Sequence, residues 1–262
     1  MLFFPNAKIN IGLSIISKRA DGYHNLESIL YPIAWCDILE IIPSKQLSFE
    51  STGLTIPGQD NLCLKAYELM ESHYDIASVS IHLHKNIPIG AGLGGGSSDA
   101  AFTLMALNTI FELDLEKDQL KKMAAQLGAD CPFFIYNTPS LASGIGEILN
   151  PIDLNMSNYH LLVVKPDVFV STSEAFSFIE PQTPSLSLLE EVKMPIEKWT
   201  LKNDFEDRIF PHYPEILEIK KSLIQAGALY ASMSGSGSSI YGIFLEKPQL
   251  KFDNCQLFHQ VL

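Results

Sequence analysis

The order of secondary-structure signals predicts an α+β fold in two domains. The first fifty residues read as strands and turns, amphipathic helical segments follow them, and the texture of the chain changes near residue 150. The expected domains are therefore 1–152 and 153–262 of a 262-residue chain, a length that accommodates one large domain or two small ones. A hydrophobic fraction of 47% with 18% charged residues supplies ample material for a core.

Taken in order, AKINIGLSII reads as a strand and KRADGYHN as a turn-rich loop around Asp21-Gly22. LESILYPIAWCDILEII reads as two more strands, LTIPGQDN as a loop, and NLCLKAYELMESHY has the apolar spacing of an amphipathic helix. VSIHLHKNIP alternates apolar and polar residues as a half-buried strand does, and Asn86 and Pro88 break it. DAAFTLMALNTIF is apolar on most sides and is expected to be a buried helix. LEKDQLKKMAAQLG is a third helix with Gly128 in the C-cap position, and Pro132 suits the first turn of the next element. After the expected linker NPIDLNMSNY come a strand at YHLLVVKP, helical segments around 172–180 and 214–227, a glycine-serine loop in SMSGSGSSIYGIF, and a short strand-like tail. The last strand is expected to return to the N-terminal domain.

The net charge of −12 argues against nucleic acid and anionic membranes as partners, because both require a basic surface. It says little about small anionic ligands, which need only a local convergence of cations and backbone N–H groups. Cys36, Cys63, Cys131 and Cys255 are scattered without zinc spacing, so a reduced, cytoplasmic protein is expected. MLFFPNAKINIGLSII carries Pro5 and Lys8 and lacks the layout of a signal peptide, and no apolar run is long enough for a bilayer span. His82, His84, His160, His212 and His259 have no partners at ligand spacing and are read as ordinary residues.

The most informative stretch is PIGAGLGGGSSDAA, with glycines at 90, 92, 94, 95 and 96 between a strand and a helix. Glycine lets the backbone approach a ligand closely and turn several N–H groups toward one point. The following helix adds the positive end of its dipole, and together they make an anion site. Asp99 is placed in the first helical turn, where a carboxylate suits the dipole and caps backbone N–H groups. The P-loop pattern fails because no lysine follows the glycines. Gly90 to Gly95 satisfy GxGxxG, but the loop follows several earlier strands, unlike the dinucleotide-binding arrangement. A flexible linker would not run straight into a compact apolar helix.

Read beside PNAKINIGL (5–13), LGADCPFFI (127–135) and SMSGSGSSIYGIF (232–244), this loop resembles the GHMP kinase superfamily over residues 5 to about 244. AKIN, RADGYHNLESI (19–29) and GADCPFF make it similar to those members that phosphorylate a small alcohol bearing a cytidine diphosphate group. Members acting on mevalonate or homoserine are not expected to carry RADGYH. The resemblance implies an N-terminal domain like ribosomal protein S5 domain 2, a C-terminal α/β plait, and an active site in the cleft between them. The implied reaction moves the γ-phosphoryl group of ATP, used with Mg2+, to a tertiary hydroxyl. The implied partners are small molecules, with the protein a monomer or homodimer.

Carried over by position, the resemblance makes Asp130 the base that accepts the hydroxyl proton. It makes Lys8 the cation that orients this carboxylate and stabilises charge on the transferring phosphoryl group. A lysine inside an apolar strand is in any case expected to pair with a carboxylate. Asp130 alone is equally well read as a helix N-cap before Pro132. Asn10, on the strand face of Lys8, is implied as a substrate contact. Tyr23 is implied to stack on cytosine and His24 to bond the base edge. Phe176 is implied to cover the other face, with Phe178 as the alternative. Tyr23 and His24 are otherwise an ordinary surface loop, and Phe176 a helical core residue. On the nucleotide side the resemblance implies Asn61, Lys85, Pro88, Gly90, Gly92, Leu93, Gly94, Gly95, Gly96, Ser97 and Ser98, with Ser98 also a candidate metal contact. Gly235 and Gly237 are implied at the reacting end of the substrate, where a plain turn is the alternative. Two rivals stand beside this reading. A kinase of another alcohol would not need the aromatic pair, and a noncatalytic nucleotide binder on the same fold would not need the base.

Overall fold

The computed structural model describes residues 1–58, 61–177, 179, 181 and 187–262. Along the chain run β1 (Leu2–Phe3), β2 (Asn6–Lys18), β3 (His24–Cys36), β4 (Ile38–Pro43), β5 (Ser48–Gly53), α1 (Leu62–His73), β6 (Val79–Lys85), α2 (Gly95–Ile110), α3 (Lys117–Leu127) and α4 (Cys131–Tyr136). There follow β7 (Ser140–Ser143), β8 (Ile148–Pro151), β9 (His160–Pro166), α5 (Thr172–Ser177), α6 (Leu188–Glu191), α7 (Glu206–Ile209), α8 (Pro214–Gln225), β10 (Tyr230–Met233), β11 (Ile240–Phe244) and β12 (Cys255–Val261). The chain is α+β, as its sequence pattern predicts. It divides into two compact units, one of Met1–Lys8, Ala34–Ile89 and Gly94–Thr138, the other of Ile9–Ile33, Gly90–Leu93 and Pro139–Leu262.

The first unit holds a sheet in the order β1-β4-β6-β5, antiparallel except for the β5–β6 pair. The alternation of VSIHLHK has a physical reason: Val79, Ile81 and Leu83 are buried, while His82 and His84 lie on the other face and both meet the Thr52 hydroxyl. Helix α1 is capped by Asn61, whose side chain accepts from the N–H groups of Cys63 at 2.8 Å and Leu64 at 3.4 Å. Helix α2 is apolar on most sides because most of its faces are buried, Ala100, Leu104 and Leu107 among them. Helix α3 starts at a capping box, Glu116 with Gln119, and stops at Gly128, which is extended rather than left-handed.

The second unit holds an antiparallel sheet in the order β10-β11-β9-β12 and a second sheet in the order β2-β3-β7-β8, whose first two strands begin or end in the first unit. Its core joins Leu162, Val164, Met233 and Ile240 of the strands to Ile209, Ile216, Ile219 and Leu223 of the helices. The expectation for the tail is corrected here. Strand β12 pairs with β9, Cys255 opposite Pro166 through Val261 opposite His160, so it closes the C-terminal sheet. That pairing also brings together His160 and His259, which the sequence leaves as ordinary residues. Their rings stack with centroids 5.2 Å apart, and Nδ1 of His160 lies 3.1 Å from Nε2 of His259. The residues 188–191 and 206–209 form single helical turns that no apolar period marks. No helix of the described residues is long and apolar enough to cross a membrane.

Candidate active site

In the first unit, Lys8 lies on β2 and Asp130 at the N-cap position of α4. The Lys8 ammonium is 3.5 Å from the Asp130 carboxylate, with side chains 4% and 36% exposed. Asp130 occupies the cap position without making a side-chain cap hydrogen bond. Its carboxylate is thus turned to the lysine and to solvent, and the capping alternative is not what the side chain does. A buried cation beneath an accessible carboxylate is the arrangement a proton acceptor needs.

The pair stands beside the end of the glycine loop. A Cβ on Gly94 would lie 3.1 Å from Lys8 Cε and 3.0 Å from Phe134 Cζ, and Gly94 has φ +70°. Gly94 is also the N-cap of α2, with no side-chain cap. The N–H groups of the first turn are therefore left to a ligand or water, as an anion site requires. The sequence G-A-G-L-G has a division of labour. Gly90, Gly92 and Gly94 take positive φ, whereas the side chains of Ala91 and Leu93 are buried and anchor the loop. Gly95 is packed against Ile87 and the Lys85 ammonium, and Gly96 is exposed with only Leu62 within 4 Å of a Cβ. Ser97 is half-buried, and Ser98 is buried with a hydroxyl that has no protein partner.

Asp99 is corrected by the structure. It lies a full turn into α2, not in the first turn, and caps nothing. Its carboxylate bonds the Lys85 ammonium at 2.7 Å, and Lys85 also pairs with Asp37. All three side chains are buried. Burial raises the Asp99 carboxyl well above the ordinary carboxylate range against the pull of Lys85. Burial, then the negative charge of Asp99, pushes the neighbouring Cys63 thiol up to about 12. Pro88 is buried and lies in sequence between Lys85 and Gly90.

In the second unit, the glycine-serine loop and the middle of the glycine-rich loop hold one another. Ser234 Oγ donates to Gly92 O at 2.8 Å, and Ser239 N donates to Ala91 O at 3.2 Å. A Cβ on Gly92 would collide with Ser234 O, one on Gly235 would press Gly92, and one on Gly237 would meet Met233 Sδ at 2.7 Å. Positive φ at all three positions, joined at Gly92 by the Ser234 carbonyl, thus accounts for glycine without reference to a ligand. Asn10 is buried, donating from Nδ2 to Ser28 Oγ at 2.8 Å, while its N–H meets Ser234 Oγ at 3.2 Å. Sequence reasoning missed two braces of this loop. Asn203 donates to Met233 O and Gly235 O at 2.8 Å each, and Glu206 accepts from Ser232 Oγ and Met233 N. Both lie in LKNDFEDRIF, at and just before α7, where several other charged residues stand beside them and neither is singled out by the sequence.

The aromatic group also falls within the second unit. Tyr23 is 60% exposed on a turn held by Asp21, whose carboxylate accepts from Tyr23 N and pairs with Arg19. The His24 ring stacks on Phe176 with centroids 5.1 Å apart and planes at 19°, and Phe176 meets Phe205 edge-on. Burial, then the charge of Lys18, holds the His24 imidazole below the ordinary histidine range. Phe176 is half-buried against the core, with one ring face covered by His24. Phe178 lies outside the described residues. Among the described residues no group of three or more histidines, cysteines and carboxylates is placed to hold a metal ion.

Comparison with known proteins follows the same lines. A family description of the GHMP kinases N terminal domain matches residues 61–138, and one of the GHMP kinases C terminal region matches residues 192–254. A 4-diphosphocytidyl-2-C-methyl-D-erythritol kinase of Bacteroides thetaiotaomicron is 55% identical to the chain, covering 93% of it and 92% of the relative. One of Parabacteroides distasonis is 49% identical over 98% of each. The crystal structure of a 4-(cytidine 5'-diphospho)-2C-methyl-D-erythritol kinase is similar with TM-score 0.80 and 32% identity, covering 93% of this chain and 90% of that one. The mevalonate kinase of Methanococcus jannaschii, at TM-score 0.73 and 14% identity, shares the fold alone.

Proposed function

The chain belongs to the GHMP kinase family, and within it to the 4-diphosphocytidyl-2-C-methyl-D-erythritol kinases; from that membership we propose how its own residues carry the reaction. The reaction is ATP-dependent phosphorylation of the 2-hydroxyl of 4-diphosphocytidyl-2-C-methyl-D-erythritol, giving the 2-phosphate and ADP, in the non-mevalonate route to isoprenoid precursors. The observation that carries the assignment of roles is the Lys8–Asp130 pair beside Gly94.

Asp130 accepts the proton of the 2-hydroxyl as that oxygen forms its bond to the γ-phosphorus. The bond from phosphorus to the bridging oxygen of ADP breaks, and ADP leaves with the electron pair. Lys8 orients the carboxylate and offsets the charge on the transferring group. Backbone N–H groups from Gly90 to Ser98 receive the phosphates, Pro88 leads into that loop, and Asn61 lies near the adenosine. Magnesium belongs to this proposal as the ion that ATP brings on its own phosphate oxygens, with the Ser98 hydroxyl as its candidate protein contact. Tyr23 and Phe176 take the two faces of cytosine. A base on Phe176 occupies the ring face that His24 covers, so His24 turns from stacking to bonding the base edge. Asn10, Gly235 and Gly237 shape the backbone at the reacting end of the substrate.

Release of ADP is the test, measured by a coupled assay with this cytidine substrate, mevalonate and homoserine. Turnover is expected with the cytidine compound alone. Turnover of either rival without it would sink the assignment.

A further inference from the structure

We propose that Lys85, Asp37 and Asp99 form a buried clamp that fixes the two flanks of the glycine loop relative to one another, and that Lys85 acts on ATP binding through this clamp rather than by touching the nucleotide. The proposal rests on the reading of the loop as the ATP phosphate site. Lys85 is the last residue of β6, where its carbonyl also accepts from Leu54 N at 2.8 Å. Asp37, fully buried at the joint of β3 and β4, uses one carboxylate oxygen for the N–H groups of Asn86 at 2.6 Å and Ile87 at 2.8 Å. Its other oxygen takes the Lys85 ammonium. These bonds hold the strand side of the loop. The same ammonium bonds Asp99 Oδ2 at 2.7 Å on α2, and a Cβ on Gly95 would come within 3.0 Å of it. That contact holds the helix side. One cation thus grips both ends of the segment whose backbone receives the phosphates.

Charge and burial argue against the alternative that Lys85 binds phosphate. The Lys85 side chain is 3% exposed and already carries two carboxylates, so the cluster presents no free positive charge to an anion. Stability does not explain it either, because a well-packed apolar trio of similar volume is commonly as stable as a buried ionic one. What an ionic cluster adds is directional bonding, and here every direction leads to a loop flank. Asp99 Oδ1 is buried without a partner, a cost that an apolar side chain would avoid.

The experiment compares Asp99→Asn, Lys85→Met and the double variant in steady-state kinetics, with amide hydrogen exchange of residues 86–96 in the nucleotide-free protein. Asp99→Asn keeps the Lys85 charge and the shape of the side chain. It is expected to raise the KM for ATP about fivefold, and Lys85→Met about tenfold or more. The double variant should be no worse than Lys85→Met, as residues of one network are non-additive. The KM for the cytidine substrate and kcat should stay within about twofold, and exchange at 86–96 should quicken. An ATP KM that rises in Lys85→Met but is unchanged in Asp99→Asn would mean direct contact with the nucleotide and overturn the clamp. A fall in kcat alone, with both KM values unchanged, would mean loss of folded enzyme and overturn it too. If Lys85→Met does not fold, Asp99→Asn decides by the same two readouts. A wild-type chain that ATP fails to saturate would overturn the phosphate-site reading together with the clamp.

Discussion

A carboxylate can cap a helix or accept a proton, and the two uses of Asp130 are indistinguishable in a string of letters. Geometry separates them, since Asp130 stands at the cap of α4 yet makes no cap bond and faces Lys8 at 3.5 Å. Asp130→Asn should therefore cost little stability, because no cap is lost, while removing the proton acceptor. General-base catalysis is worth about 10²–10⁴ in rate, so kcat should fall by roughly that factor with both KM values nearly unchanged. Steady-state kinetics with matched thermal melts checks it, and near-normal turnover would remove the base role. Lys8 was readable for a physical reason, as a lysine in an apolar strand needs a carboxylate. The same logic applies to Asp37, an acid between apolar neighbours in AWCDI, but no motif directs attention there and its partner lies 48 positions away. Resemblance finds residues that a family shares by pattern, and it passes over those that work from behind the pattern.

Elements with a strong period were the readable ones. Helices α1 and α3 and strand β6 follow from apolar spacing because each buries one face or one stripe, while strand β2 follows from a β-branched apolar run that is buried on both faces. Short pieces such as β7, β8, α6 and α7 were not, because four residues carry no period and are set by their neighbours. The glycine loop lies between these cases. Its role was evident from five glycines, but their individual reasons were not. Gly92 is required by Ser234 O, Gly94 by its φ and by Lys8, and Gly95 by Ile87, whereas Gly96 has room for a side chain and an exposed position in the first turn of α2. Gly96→Ala is thus a clean probe. Alanine in a helix is favoured over glycine by about 0.5–1 kcal/mol, so the variant should melt slightly higher than the wild type. If the backbone at this turn meets phosphate, the added methyl should raise the KM for ATP by about tenfold. A raised melting temperature with an unchanged KM would place the phosphates elsewhere on the loop.

At the scale of the whole chain, the α+β class and the kinds of element were legible, whereas the way the chain distributes itself was not. Contacts gather Ile9–Ile33 and Gly90–Leu93 with the C-terminal half, and no signal in composition marks those crossings. They depend on pairings such as Ser234 with Gly92, which join residues far apart in sequence. The tail is a similar case, since its seven residues form a strand in either half and only the register with β9 decides. Global charge is equally uninformative about ligands. A chain of net charge −12 that binds polyphosphates must do so through local donors. Binding to such donors stabilises the folded chain by mass action, about 2.7 kcal/mol at a ligand concentration of 100 Kd. For a chain of this size a kilocalorie per mole moves the melting temperature by about 2–4 °C. ADP, which cannot support turnover, should therefore raise it by about 5–10 °C in calorimetry. Because the chain has two compact units, the trace can hold two transitions. In that case the transition of the unit containing Lys8, Asp130 and Gly94–Thr138 should move most, since the first turn of α2 belongs to it. A scan that ADP leaves unchanged would contradict nucleotide binding at the loop, whatever the net charge.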